Sequence, residues 1–492
     1  MDRLDPLREK RVIPSLENYI DGAWVAPADG RYVNDYAPGT GALIARIPRS
    51  SQADVDAAVA AAKRALGGPW GSFTVSERAD LLDEVAEAIE DRMPELIELE
   101  SIDTGKPVKT AGSIDIPRAV ANFRFFAGAV RHAGSESYAM PGALNYTHRR
   151  AVGVCALITP WNLPLYLLSW KTAPALAMGN TIVAKPSEMT PLTANALAQI
   201  LHDVGLPAGV FNLLQGDGEG AGGPLTAHPD VDAVSFTGGT ATGKRVAAAA
   251  APDFKKLSLE LGGKNATIVF DDADLETAAA GAARAAFTNQ GQVCLCGSRV
   301  LVQRALYEAF VERFVAHTRA RVIGDPSDPA TEHGALISQA HLKKVESYVR
   351  LARSEGATTL TGGRRPDQLP EHCRGWYLEP TILADLSPES RTSTEEIFGP
   401  VCTLHVFDTE AEAIAIANGV RYGLAASVWT RDLGRAHRVA QALETGMVWV
   451  NTWLLRDLRV PFGGMKDSGV GREGGALSLA FFSEARNICI KL

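Results

Sequence analysis

Cysteine is scarce in this 492-residue chain: six residues, at positions 155, 294, 296, 373, 402 and 489. So few thiols in so long a sequence exclude a disulfide framework and point to free cysteines in a reducing compartment. Blocks of Lys or Arg are missing as well, and the formal net charge is −8, which argues against a nucleic-acid partner. The same acidity means that an anionic small molecule meets general repulsion and needs a local cationic pocket. Long hydrophobic runs are absent. The most apolar stretch, ALITPWNLPLYLLSW, contains two prolines and an asparagine and is too short to cross a bilayer. The first residues, MDRLDPLREKRVIPS, are charged from the second position and carry no apolar signal segment. A cytoplasmic protein without membrane association is therefore expected. Internal repeats and low-complexity tracts are not found.

What remains is 46% hydrophobic and 22% charged residues, a globular composition, and a length that implies two or three domains. Residues 50–100 hold helical runs such as SQADVDAAVAAAKRAL and ERADLLDEVAEAIEDRM, preceded by Ser and Asp capping candidates. From 151 the texture changes to short strand-like runs, AVGVCALI, NTIVAK, GVFNLLQ, AVSFTG and KLSLELG, alternating with helical segments. That alternation predicts an α/β fold with a parallel sheet covered on both faces, and ligands of such sheets bind at the carboxyl ends of the strands. A second α/β stretch runs from ATIVFDD to about residue 460, and the polar segment RHAGSESYAMPGALNYTHRR reads as a protruding hairpin.

Two glycine clusters invite over-reading. GEGAGG (218–223) has dinucleotide spacing, but Pro224 and the poor helix TAHPD follow it, so a surface turn is expected. GGTATGK (238–244) is a near miss to a P-loop; Arg245 stands where a magnesium-holding Ser or Thr would be needed. The strand AVSFTG followed by helical TATGKRVAAAAA nevertheless places the backbone N–H groups of Gly238–Gly243 at a helix N-terminus. That suits a pyrophosphate as well as a plain turn.

Two cysteines lie one residue apart in FTNQGQVCLCGSRV (287–300). No His/Cys cluster of ligand spacing accompanies them, so no metal site is expected. Eight motifs in order then carry a resemblance to the aldehyde dehydrogenase superfamily: YIDGAW (19–24), TPWNLP (159–164), VAKPSE (183–188), SFTGGTATG (235–243), LELGGKNA (259–266), NQGQVC (289–294), EEIFGPV (395–401) and PFGGMKDSGVGREGG (461–475). The resemblance implies that Cys294 is the nucleophile. A free thiol ionises near pH ~8.5, and the small thiolate fraction attacks carbonyls readily. The thiohemiacetal so formed releases hydride to a nicotinamide, and the thioester left behind hydrolyses. Cys296 is read as packing or a redox reserve. By the same resemblance Asn162 and the Cys294 N–H form the oxyanion site, Glu260 is the base for the deacylating water, and Lys171 lies near the proton path. The implied NAD residues are Thr159, Pro160, Trp161, Lys185, Glu188, Gly238, Gly239, Gly243, Leu261, Glu396 and Phe398. Glu188 would accept from the ribose hydroxyls and repel a 2′-phosphate, so NAD is expected over NADP. Gly239 stands where many relatives have a phosphate-binding serine.

Three segments, DIPRAVANFRFF (115–126), GQVCLCGSR and NTWLLRDLRVPFGG (451–464), look most like dehydrogenases of 2-aminomuconate and 2-hydroxymuconate semialdehydes. That likeness implies Arg118 and Arg456 as a carboxylate fork, with Arg124 and Arg459 as competitors. Leu163, Tyr166, Trp170, Trp453 and Phe462 are expected to line the substrate passage. A dehydrogenase of neutral aldehydes, a CoA-acylating enzyme (disfavoured by Glu260) and a catalytically silent binding protein are the rival readings. The implied architecture is a Rossmann-like NAD domain on a five-stranded parallel sheet (1–129 and 149–261), a second α/β catalytic domain (262–472) and a small β hairpin for oligomerisation (130–148 and 473–492). A homodimer or homotetramer is expected.

Overall fold

Five short aliphatic runs form the parallel core of the first large sheet in the computed structural model, which describes residues 13–492. The charged residues 1–12, most of the stretch searched above for a signal segment, lie outside the described residues. The sheet order is Ala23–Val25, Asn18–Ile20, Phe211–Leu213, Thr181–Lys185, Val154–Ile158, Ala233–Thr237, Lys256–Glu260 and Gly469–Val470. The expected five parallel strands are all present, and three short antiparallel strands extend them at the edges. Val154–Ile158 and Thr181–Lys185 are buried throughout, as strands covered on both faces must be. From Val154–Ile158 the chain steps outward through Thr181–Lys185 on one side and Ala233–Thr237 on the other. The reversal opens a crevice beyond Ile158 and Thr237, where an open α/β sheet takes its ligand.

The chain leaves this sheet at Glu260 and enters the second at Ala266, so Leu-Gly-Gly-Lys-Asn spans the two. The second sheet runs Thr358–Thr361, Thr381–Ala384, Val401–Phe407, Arg299–Gln303, Ala266–Val269, Ala425–Trp429 and Met447–Val450, with only the first strand antiparallel. A three-stranded antiparallel sheet joins Ser137–Met140, Ala143–Ala151 and Ser483–Lys491, with mostly exposed side chains. The helix Gly475–Phe481 packs elsewhere: Leu479 and Phe482 enter the core of the first sheet.

The predicted early helices form at Gln52–Leu66 and Val75–Asp91. The second is started by a reciprocal cap: Thr74 accepts from the Glu77 N–H at 3.2 Å and Glu77 accepts from the Thr74 N–H at 2.6 Å. GEGAGG is not the plain surface turn expected. Asp217 accepts from the Gly220 N–H at 2.6 Å, and Gly218–Gly222 wind into a wide helical turn that continues as Gly223–Ala227. Pro224, taken as a breaker, sits in the first turn, where its missing N–H costs nothing. Among the described residues no helix is long and apolar enough to cross a membrane.

Candidate active site

The nucleophile candidate stands on a turn that the sequence makes unusual. Asn289, Gln290 and Gly291 adopt left-handed conformations at φ 52°, 56° and 67°. Left-handed backbone disfavours L residues by roughly 1–2 kcal/mol each, so the turn needs outside support. Asn289 supplies some of it, donating its amide to the carbonyls of Asn162 at 3.1 Å and Gln292 at 3.2 Å. Gly291 packs against the Gly399 carbonyl so closely that a Cβ would collide with it, which ties this turn to the EEIFGPV segment. Cys294 follows, partly exposed, whereas Cys296 is buried. Asn265 holds the turn from behind by donating to the carbonyls of Cys294 at 2.7 Å and Cys296 at 3.0 Å. The Cys294 N–H has no acceptor among the described residues and is free to donate to a ligand. All six cysteines are unpaired thiols.

Asn162 lies beside this turn. Its side-chain amide donates to the Gln292 carbonyl at 3.0 Å, leaving its second N–H available. Sequence reading did not single out the residue that fixes it. Lys106, wholly buried, donates to the Asn162 carbonyl at 2.9 Å and to Asp115 at 2.5 Å. A charged residue in the interior leaves no periodic trace in a sequence; only the TGKP turn marks the place.

Glu260 ends its strand inside the same site. Both carboxylate oxygens are enclosed and lack a hydrogen-bond partner. Burial raises its pKa well above the ordinary glutamate range, the nearby charge of Glu473 raises it further, and Lys171, Arg456 and Arg472 oppose the shift. Such a carboxyl group is a strong proton acceptor once ionised. Burial likewise pushes the Cys294 thiol up, reinforced by Glu260 and Glu396 and partly offset by Arg456. Lys171 donates to Ser235 at 2.8 Å and to Glu473 at 2.7 Å, and the Trp170 indole donates to the other Glu473 oxygen at 2.7 Å. Glu473 went unnoticed in the sequence, although a glutamate set among glycines in GREGG is as odd for packing as Glu260 is in LELGG.

Arg456 is held on one side and left open on the other. One nitrogen donates to the Tyr166 hydroxyl at 2.8 Å, and the guanidinium lies over the rings of Trp170 and Phe462 at 4.7 and 3.9 Å. Its Nε and Nη2 are enclosed without acceptors. Arg118 lies over the same tyrosine, with its guanidinium 5.6 Å from the Tyr166 ring centre. The two arginines thus share one tyrosine. The competitors fall away: exposed Arg124 pairs with Glu90, and exposed Arg459 with Asp457 at 2.6 Å. Phe462 and Trp453 pack with Val293 and Leu295 around Cys294, and the Trp453 indole donates to the Leu295 carbonyl at 2.9 Å. Leu163 caps the helix Pro164–Ala177, which presents Tyr166, Trp170 and Lys171 in successive turns. Trp170 is fully buried and backs the guanidinium.

The crevice beyond Ile158 collects the remaining residues. Thr159, Pro160 and Trp161 leave the central strand; the Thr159 N–H donates to the Lys185 carbonyl at 3.2 Å, and its buried hydroxyl has no partner. Lys185 lies 3.7 Å from the half-exposed Glu188. Gly238 donates to the Glu260 carbonyl at 3.0 Å, and a Cβ there would strike the Phe236 ring. Gly239 caps the helix Thr240–Ala250 and faces open space, whereas Gly243 is forced by contact with Leu261. Glu396 accepts from the Gly263 N–H at 2.9 Å. Phe398 is left-handed at φ 60°, its ring is edge-on to Trp161 at 5.3 Å, and its carbonyl accepts from His341 at 2.6 Å. The open helix terminus at Gly239 and the orphaned Thr159 hydroxyl fit a dinucleotide.

Known proteins resemble the chain in sequence and in fold. Residues 24–488 match the aldehyde dehydrogenase family. The chain is 50% identical to a 2-hydroxymuconic semialdehyde dehydrogenase of Pseudomonas sp. (strain CF600), over 97% of this chain and 99% of that one. It is 49% identical to a 2-aminomuconic semialdehyde dehydrogenase of Mus musculus, over 98% and 99%. Among solved structures, PnpE from Pseudomonas sp. WBC-3 superposes with a TM-score of 0.94 at 43% identity, covering 97% of this chain and 98% of that one. PnpE in complex with nicotinamide adenine dinucleotide superposes with a TM-score of 0.95, covering 97% of each chain.

Proposed function

The chain belongs to the aldehyde dehydrogenase family, and on that premise we propose that it oxidises a carboxylate-bearing semialdehyde, of the 2-aminomuconate or 2-hydroxymuconate 6-semialdehyde type, to the dicarboxylic acid. The observation that carries the substrate class is the pair of enclosed, unpartnered donors of Arg456, with Arg118 over the ring of the same Tyr166. A desolvated guanidinium fork without a counter-ion is costly to maintain unless a planar anion completes it.

With the carboxylate held there, the aldehyde reaches Cys294. The thiolate fraction of Cys294, its proton released to water, adds sulfur to the carbonyl carbon. The oxygen that becomes negative is met by the free N–H of Asn162 and the Cys294 N–H, a pair worth roughly 10²–10³ in rate per donor. Lys185 and Glu188 would hold the adenosine ribose of NAD, the Gly239 terminus its pyrophosphate and Glu396 the second ribose, and the cofactor so held would supply the hydride acceptor. Glu188 supports NAD over NADP, because its carboxylate repels a 2′-phosphate. Glu260 then draws a proton from the water that hydrolyses the thioester, and Glu473 with Lys171 offers that proton a route onward.

The reading includes division into a dinucleotide domain up to about residue 261, a catalytic domain to about 472, and a pairing module in which the exposed sheet of Ser137–Met140, Ala143–Ala151 and Ser483–Lys491 joins copies into a homodimer or homotetramer. The test is a substrate panel with NAD and NADP that sets ring-cleavage semialdehydes against neutral aliphatic and aromatic aldehydes. Higher kcat/KM for the acidic class with NAD supports the proposal; preference for neutral aldehydes overturns it.

A further inference from the structure

We propose that the protein carries a second, separate centre: a site for Zn2+, or a divalent cation of similar softness, formed by Asp325, His372 and Cys373. Their carboxylate, imidazole and thiol ligand atoms all lie within 4.8 Å of one another. His372 Nε2 already faces Asp325 Oδ2 at 2.6 Å, across 47 residues of sequence. In a tetrahedral zinc site, bonds of about 2.0–2.3 Å set the donors roughly 3.3–3.8 Å apart. An ion therefore enters by parting the Asp325–His372 contact through about 1 Å. The loop allows this, because the His372 side chain is exposed whereas Cys373 is buried. One oxygen, one nitrogen and one sulfur donor suit Zn2+ and not Mg2+ or Ca2+.

Two further features point into the cluster. Tyr377 is 2% exposed and packs with Cys373 and Ala335, which sets its hydroxyl beside the Cys373 thiol. A metal-bound thiolate is the stronger acceptor for that O–H, the outer-shell arrangement that holds many metal ligands. Asp325 is oriented as well: its Oδ1 accepts from the N–H and the hydroxyl of Ser327, both at 2.8 Å, which turns Oδ2 towards His372. The charges balance. The cation brings +2, carboxylate and thiolate supply −1 each, and the Cys373 proton goes to solvent on binding. A water takes the fourth position.

The neighbourhood indicates the role. Gly375 and Trp376 donate to the carbonyls of Gly39 and Pro38 at 3.0 and 3.1 Å, and Val108 donates to the carbonyl of Pro326 at 2.8 Å. An ion joining 325 to 372–373 clips together two loops that both grip the first third of the chain. It is a structural clip outside the catalytic machinery.

The experiment uses full-length Cys294→Ala/Cys296→Ala protein, so that the active-site thiols cannot compete, stripped with chelator and titrated with Co2+ and Zn2+. One Co2+ per chain is expected, with a thiolate-to-cobalt band and the visible bands of a tetrahedral ion, displaced by Zn2+, together with a rise in Tm. His372→Ala, on an exposed loop, should retain its fold and weaken Zn2+ binding by at least about 100-fold, since loss of an outer-shell partner alone costs roughly 10–100-fold. Cys373→Ser should remove the sulfur band. No stoichiometric binding in the parent, cobalt bound without a sulfur band, or equal affinity in His372→Ala each overturns the proposal.

Discussion

Replacing Arg456 by alanine tests the proposal that its guanidinium reads substrate charge. The guanidinium makes three kinds of contact: a hydrogen bond to Tyr166, stacking on Trp170 and Phe462, and two enclosed donors with nothing to bind. Only the last leaves room for a ligand. Charge-assisted hydrogen bonds contribute roughly 1.5–3 kcal/mol each. In the variant, however, the substrate carboxylate keeps Arg118 and regains water. The net loss should be about 2–4 kcal/mol, within the range for truncating one partner of a buried charge pair. At about 1.36 kcal/mol per decade this is roughly 30- to 1,000-fold in kcat/KM. A neutral aldehyde is also affected, because Arg456 lowers the proton affinity of Glu260 and Cys294. That handicap is common to both substrates, so the neutral aldehyde measures it. The assay is initial NADH formation at saturating NAD, expressed as the ratio of kcat/KM for acidic over neutral substrate. Arg456→Lys keeps the charge without the fork and should restore part of the ratio. A ratio unchanged in Arg456→Ala, whatever the absolute loss, refutes the reasoning.

Glu260→Gln should give one equivalent of NADH in a rapid burst, followed by turnover slowed roughly 10²–10⁴-fold, since thioester hydrolysis loses its base; an unchanged steady state in stopped-flow traces ends that role. Because the raised pKa of Glu260 belongs to the folded state, its stabilising share is present below the unfolded value and is lost as pH rises through the folded one. The Tm of Glu260→Gln relative to the parent should therefore climb as pH rises from acid to alkaline, and a flat difference contradicts the burial argument. Glu473→Gln removes a like charge beside Glu260, so the base ionises more easily and the acidic limb of the steady-state pH profile should move to lower pH. A limb displaced to higher pH would show that Glu473 assists ionisation instead. Gly291→Ala meets both a left-handed backbone and the Gly399 carbonyl, and should lower stability by at least about 1–3 kcal/mol, read as a reduced Tm.

Much of the molecule was legible along the chain. Strand runs such as NTIVAK and AVSFTG, with helices between them, announce a parallel sheet because burial on both faces demands unbroken aliphatic stretches. The order of eight motifs carried the likeness to aldehyde dehydrogenases, and with it Cys294, Glu260 and Asn162, while the two arginines came from three separate segments. Less was legible where polar residues act in the interior. Lys106 and Glu473 hold Asn162 and Lys171 from loops far away in the sequence, and buried charge follows no period. GEGAGG looked like a surface turn because the stabilising Asp217 cap is a three-dimensional contact.

By itself, then, the sequence determined the local preferences: which runs become strands and helices, which cysteine follows Gly-Gln-Val, and how little positive charge is available to spare. Tertiary structure decided which charges are satisfied. It paired Arg124 and Arg459 with acids while leaving the Arg456 fork open, and it brought Asp325 to His372 and Cys373 across two loops. The physical reason is that local propensity acts over a few residues, whereas pairing, desolvation and ligand geometry depend on distances that exist only once the chain has folded.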